Sequence, residues 1–360
     1  MSCRRVAAAV VAAALTGGAA VAQTSAPVTP PPAAAPQVSP QVQMVADWAA
    51  RASAWVANQQ NTFIAEERAL AAVNAGAAQA MAFQRTGKAA EGAAWALQWA
   101  AARRLELSNL AAAAHDAGAD APPLPDSLAD IAELKVQGDA LRALSRRQAE
   151  IIRVGLTMGG QIVDLAQKAA SGDADAASKL PARRDDLAKT ILKSENLLVE
   201  ASGSTRAADD PETDLGQAQV SGNLAMIALI DARRAAAAGD AAALKAAALE
   251  LRARAGEMKA AALKAPAHAD ARLRALRGQA DFAGTPLASR VEAVLATFKD
   301  SADVESQIAE ALLTVATDLE QGEGPSSAGV QGALAGMNPL LQRRVALDLE
   351  RKNIIAGRPS

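Results

Sequence analysis

Residues 287–320 read LASRVEAVLATFKDSADVESQIAEALLTVATDLE. Leu287, Val291, Val294, Phe298, Ile308, Leu312, Val315 and Leu319 follow one another in alternating steps of three and four, which is the spacing of a single helical face. No residue in the stretch breaks the helix, and the apolar line is too narrow for a helix buried on all sides. It predicts a long helix packed in a seam against others. The same register puts Ser301 and Glu305 in the middle of the line. Such a polar pair either fixes the register of a partner helix or lines a ligand site. In the plainer reading Ala302 and Val304 share the burial and Glu305 reaches to the edge.

The rest of the chain repeats this pattern and offers no credible strand. Leu134, Leu141, Leu144, Ile151, Met158, Ile162 and Leu165 form a second stripe, interrupted by Gln137 and Gln148. Gly155, Gly159 and Gly160 lie within it. A mid-helix glycine costs about 1 kcal/mol relative to alanine, so another helix passes closely there or the helix bends. Helices are expected at 43–85, 88–117, 126–171, 173–202, 212–238, 240–264, 268–281, 285–320 and 339–355. Gly87, Gly172 and Gly239 each sit between two alanine-rich helical patterns, and Asp173 and Asp240 follow two of them. A left-handed glycine and a capping aspartate make a tight antiparallel turn. The expected fold is therefore all-α: an elongated antiparallel bundle of about three helical hairpins and a further long helix, or two bundles meeting near 203–211.

Domain boundaries follow from composition. Arg4 and Arg5, the apolar run 6–15 and Ala20-Val21-Ala22 have the form of a signal peptide over 1–22, cleaved before Gln23. Its removal takes Cys3, the only cysteine, and leaves 35 basic and 39 acidic residues, a net charge of −4. The expected location is periplasmic or secreted, and packing without disulfides must hold the chain. Residues 23–41 are rich in proline and alanine and read as an extended spacer. Then come an N-terminal bundle over 42–203, a linker over 204–211, a second bundle or continuation over 212–322, and an amphipathic helix with its tail over 323–360.

The interspersed charge argues against nucleic-acid binding, which needs a concentrated basic surface. Only four Trp and four Phe supply aromatic surface, with no Tyr. Trp95 and Trp99, four apart, are expected in the core near Phe83 and Met81. Trp48 and Trp55, seven apart and next to the spacer, are candidates for a partner-facing patch. In the C-terminal segment Leu340, Leu341, Arg343, Arg344 and Leu347 lie on an amphipathic helix. It docks back on the bundle, or is offered to a protein partner or, with weaker support, an anionic membrane surface.

Residues for chemistry are scarce. His115 and His268 have no second histidine or carboxylate three or four positions away, so neither reads as a metal ligand, and both are expected at helix ends on the surface. Glu66 and Glu67 are adjacent and face different directions. Asp209, Asp210, Glu212 and Asp214 surround Pro211 and suit a helix N-terminus. No cofactor or metal is expected, and the sequence points away from catalysis. The leading expectation is an exported helical bundle acting through protein contacts, as scaffold, adaptor or holding chaperone, with itself or an envelope protein. The alternative is a bundle holding a small molecule near Ser301 and Glu305 or near Trp95 and Trp99. An enzyme built from scattered carboxylates is a distant third.

Overall fold

The computed structural model describes residues 40–117, 121–203, 209–278 and 286–356. The signal-peptide reading, nearly all of the spacer, residues 204–208 of the linker and the last four residues lie outside them. Among the described residues the chain is all-α, with no strand. Its helices are α1 (Pro40–Arg85), α2 (Ala89–Ala117), α3 (Ala132–Ala170), α4 (Ala174–Gly203), α5 (Pro211–Ala238), α6 (Ala241–Ala262), α7 (Ala265–Arg277), α8 (Pro286–Glu320) and α9 (Ala328–Ala356), with a 3-10 turn at Asp126–Leu128 before α3.

One turn recurs four times. Gly87, Gly172, Gly239 and Gly322 have φ of 69°, 97°, 69° and 89°, the left-handed region that a side chain disfavours. After each, the next backbone N–H reaches back five residues. Lys88 donates to the Phe83 carbonyl at 3.1 Å, Asp173 to Lys168 at 3.1 Å, Asp240 to Ala235 at 2.9 Å and Glu323 to Asp318 at 3.0 Å. This closes the preceding helix by a Schellman turn. The Asp173 carboxylate then accepts from the Ala176 N–H at 3.0 Å, and Asp240 accepts from Ala243 at 2.9 Å, opening the next helix. The result is four hairpins, α1–α2, α3–α4, α5–α6 and α8–α9, whose members pack on each other.

The three expected hairpins are present, and the further long helix forms a fourth with the last helix. The last helix starts at Ala328 and not at 339, because Ser327 caps it, accepting from the Val330 N–H at 3.3 Å. Pro339 lies inside the helix. Both Pro339 and Ala335, whose carbonyl the proline cannot pair, are exposed, so water can take the lost bond. Pro181 likewise sits exposed inside α4. The third helix starts at Ala132, later than expected, because 126–128 form a 3-10 turn.

The glycines of α3 mark close approach. A Cβ on Gly159 would lie 2.8 Å from Leu70 Cδ2 of α1, and one on Gly155 would lie 2.5 Å from Glu66 Oε1. Around this contact Leu70, Val73, Ala96, Leu107, Ile162, Leu180 and their neighbours form one core. A second core joins α5, α6, α8 and α9, from Ala218 to Leu347. Alanines at 225, 232, 248, 255 and 262 are fully buried there, so small side chains bring α5 and α6 together. Helix α4 packs on α5 and links the two sets.

Candidate functional site

Ser301 and Glu305 meet the C-terminal helix. Both are 5% exposed on α8. Arg351 of α9 donates from Nη2 to Ser301 Oγ at 2.6 Å and from Nε to Thr297 Oγ1 at 3.1 Å. Its guanidinium also lies 4.4 Å from the centre of the Phe298 ring. Arg344 Nη1 approaches Glu305 Oε1 at 3.7 Å, while Glu305 Oε2 is buried without a hydrogen-bond partner. The spacing is regular: two turns back from Glu305 to Phe298 on α8 match two turns forward from Arg344 to Arg351 on α9. Each member of the polar pair thus meets an arginine of the antiparallel helix, and Glu305 does not reach the edge. Burial pushes the Glu305 carboxyl above the usual carboxylate range, Arg344 pulls it back, and Asp348 adds to the rise.

This contact absorbs most of the residues expected to face a partner from the C-terminal segment. Leu347 is fully buried, Leu340 and Leu341 are partly buried against the same core, and Arg344 is paired with Glu305. Of the five, only Arg343 is exposed. Trp48 is also corrected: it is 1% exposed, its Nε1 donates to the Pro122 carbonyl at 3.2 Å, and it packs with Val45, Leu128 and Leu134. The segment between α2 and α3 covers the face that adjoins the spacer. Trp55 is partly buried on the edge of that cluster.

A second polar group lies where α1, α4 and α5 meet. Asn223 Nδ2 donates to Glu195 Oε2 and to Asn196 Oδ1, each at 2.9 Å. The carboxyl of Glu67 on α1 faces Glu195 across this meeting point. Burial, then the Glu67 charge, pushes Glu195 up to about 7, against the pull of Asn223 and Arg344. Glu66, 4% exposed with Oε2 unpartnered, is also raised to about 7, by burial first and Glu67 second. Sequence reasoning missed this group. Glu66 and Glu67 do diverge, as their adjacency requires, but Glu67 finds its partner on α4.

His268 does lie at a helix end, in the first turn of α7, but it is not fully on the surface. It is half-buried on α7, with Nδ1 2.6 Å from Oδ2 of the buried Asp214 of α5. Next to it Arg272 pairs with Asp210 at 2.5 Å, and Asp210 caps α5, accepting from the Glu212 N–H at 2.9 Å. These contacts pin α7 to the start of α5. The His115 side chain lies outside what the structure describes. No group of three or more His, Cys, Asp or Glu among the described residues is arranged to hold a metal ion, and none of the described helices is long and apolar enough to cross a membrane.

Helix α2 packs on α1 and α3 and has an open apolar side. Trp95 and Trp99 stack at 5.2 Å and 14°, and Phe83 of α1 lies 5.4 Å from Trp95, near where hairpin pairing about Gly87 puts it. Trp99 lies over Gly76, where a Cβ would come within 2.2 Å of its ring. The two tryptophans thus seat α2 on α1. On the opposite side Leu97 and Leu105 are 65% and 64% exposed. Ala90, Ala94, Ala101, Ser108 and Ala112 extend the line, all exposed and none charged. The chain matches no known protein family, no curated protein and no solved structure.

Proposed function

We propose that this chain is an exported, non-enzymatic helical bundle that works through protein contacts, as a scaffold, adaptor or holding chaperone, with the outward face of α2 as its contact surface. The observation that carries this is the α2 stripe, a line of Leu, Ala and one Ser about 33 Å long at 1.5 Å per residue, left open. Export rests on the sequence before Gln23, with its basic start, apolar run and small-x-small end. The raised carboxyls give catalysis little support, because Glu66 is buried and Glu195 partly buried between packed helices. The small-molecule reading loses support near Ser301, whose hydroxyl Arg351 occupies, and Glu305 Oε1 faces Arg344, which leaves only Glu305 Oε2 without a partner.

The test is crosslinking in the intact envelope. Formaldehyde treatment of producing cells is expected to yield discrete adducts with the wild type. The double variant Leu97→Glu, Leu105→Glu loses them while keeping its helical content and melting temperature. A wild type that forms no adduct, or a variant that forms the same ones, overturns the proposal.

A further inference from the structure

Helices α1 and α4 meet along a short antiparallel stretch that carries two polar contacts. At one end Arg184 Nε of α4 donates to Asn74 Oδ1 of α1 at 2.5 Å. At the other end carboxyl faces carboxyl, Glu67 of α1 against Glu195 of α4. Glu195 Oε2 accepts from Asn223 Nδ2 of α5 at 2.9 Å, and Glu66, beside Glu67, is 4% exposed with Oε2 unpartnered. Among the described residues the cation that faces Glu195 is Arg344 of α9, whose Nη1 also stands 3.7 Å from Glu305 Oε1 of α8. The other neighbours are neutral or turned away. Ser194 and Asn196 of α4 are buried and uncharged, and α5 carries no charged residue between Asp214 and Asp231. Arg68 of α1, Arg153 of α3 and Lys193 of α4 are exposed, and Arg103 and Glu106 of α2 pair with each other at 2.5 Å. We infer that this junction is a proton-operated latch: uncharged carboxyls let α1 lie on α4 and α5, and ionised carboxyls loosen α1 there while the second core stays closed.

One charge acts on two carboxyls here. After burial, Glu67 is the next cause that raises both Glu66 and Glu195 to about 7. Protons therefore stabilise the contact below the ordinary 4.5, and that support is lost as the pH rises through 7. Above it, Glu66, Glu67 and Glu195 bring like charges to one contact. Arg344 is their counter-charge, and it also serves Glu305, where Asp348 adds a further negative charge. Carboxylates held together away from water, with one shared cation, favour separation. The opening is local for two reasons. Arg184 keeps its charge across this range, so the contact with Asn74 holds the other end of the stretch. The core from Ala218 to Leu347 contains no residue of α1 or α4. The latch is independent of the reading of α2 as a contact surface.

The test is amide hydrogen exchange of the full chain, corrected for the intrinsic effect of pH, read in residues 62–73 of α1 and, as reference, in 248–262 of α6. Between about pH 5.5 and about pH 8.5, protection of 62–73 is expected to fall about tenfold more than that of 248–262, with a midpoint near 7. Glu67→Gln lowers the midpoint, because it removes the charge that raises both carboxyls. Glu66→Gln with Glu195→Gln removes the step, and Glu91→Gln, exposed on α2, leaves it unchanged. Constant protection of 62–73 overturns the inference. So does an equal loss in both segments, which means global unfolding, and so does a step that survives Glu66→Gln with Glu195→Gln. If that double variant does not fold, Glu67→Gln decides: a midpoint unchanged from the wild type overturns the latch.

Discussion

Helices α9 and α2 are equal in length, 29 residues each, and both have little polar asymmetry, yet they end differently. Helix α9 is tied to α8 by Arg344 and Arg351, and its leucines enter the second core. Helix α2 is held by Trp95, Trp99 and Ala-rich contacts on one side and leaves Leu97 and Leu105 open on the other. The outer side of α9 also shows Val345 and Leu349, but the exposed Gln342, Arg343 and Asp348 break them up. The lesson is physical. A buried polar pair such as Ser301 and Glu305 demands a polar counterpart, and this chain supplies it from its own C-terminal helix. An uncharged line of Leu, Ala and Ser demands no such counterpart inside the chain, and here it stays exposed.

The comparison can be broken first at α9. Arg344→Ala leaves Glu305 buried beside Asp348 without its cation, which is expected to lower stability by about 2–3 kcal/mol in denaturant unfolding. Glu305→Gln in the same background should recover part of that loss, since it removes the uncompensated charge. At α2 the sensitive point is its seat and not its outer face. A Cβ on Gly92 would lie 2.2 Å from the Ala170 carbonyl oxygen of α3. Gly92→Ala is expected to destabilise by about 2 kcal/mol, because backbone must move to admit the methyl.

The pH dependence sharpens the contrast. Glu66 and Glu195 have folded-state pKa values raised to about 7 from 4.5, so the folded chain holds protons that the unfolded chain has released. Their contribution is fully present below pH 4.5 and is lost as the pH rises through 7. The melting temperature should therefore fall by several degrees between pH 5 and pH 8, and Glu66→Gln should flatten the slope. The smallest effect on the fold belongs to the stripe. Leu97→Ala with Leu105→Ala changes stability by less than about 0.5 kcal/mol, because neither side chain is buried within the chain.

What could be read in the sequence was local. Gly87, Gly172 and Gly239 announce their turns because a left-handed backbone and an aspartate cap are properties of neighbouring residues. The seam of α8 was legible because its period lies within one helix. The proline at 339 misled by the same local logic, since its cost depends on whether water can reach the carbonyl it strands. The partners of the polar residues were not legible. Arg351 is 50 positions from Ser301, Asp214 is 54 from His268, and Pro122, which hides Trp48, is 74 from it. No periodicity connects such positions; only the hairpin arrangement does. The α2 stripe was overlooked because Leu97 and Leu105 lie among alanines that look like core on every side.

The central claim is that α2, and not α9, faces outward for contact. Placing a photoreactive side chain at Leu97 in one variant and at Val345 in another, then irradiating producing cells, compares the two faces in one measurement. Both positions are exposed to the same degree within the chain, 65% and 66%. The account predicts a discrete adduct from position 97 and none above background from position 345. An adduct from 345 with none from 97 would contradict it.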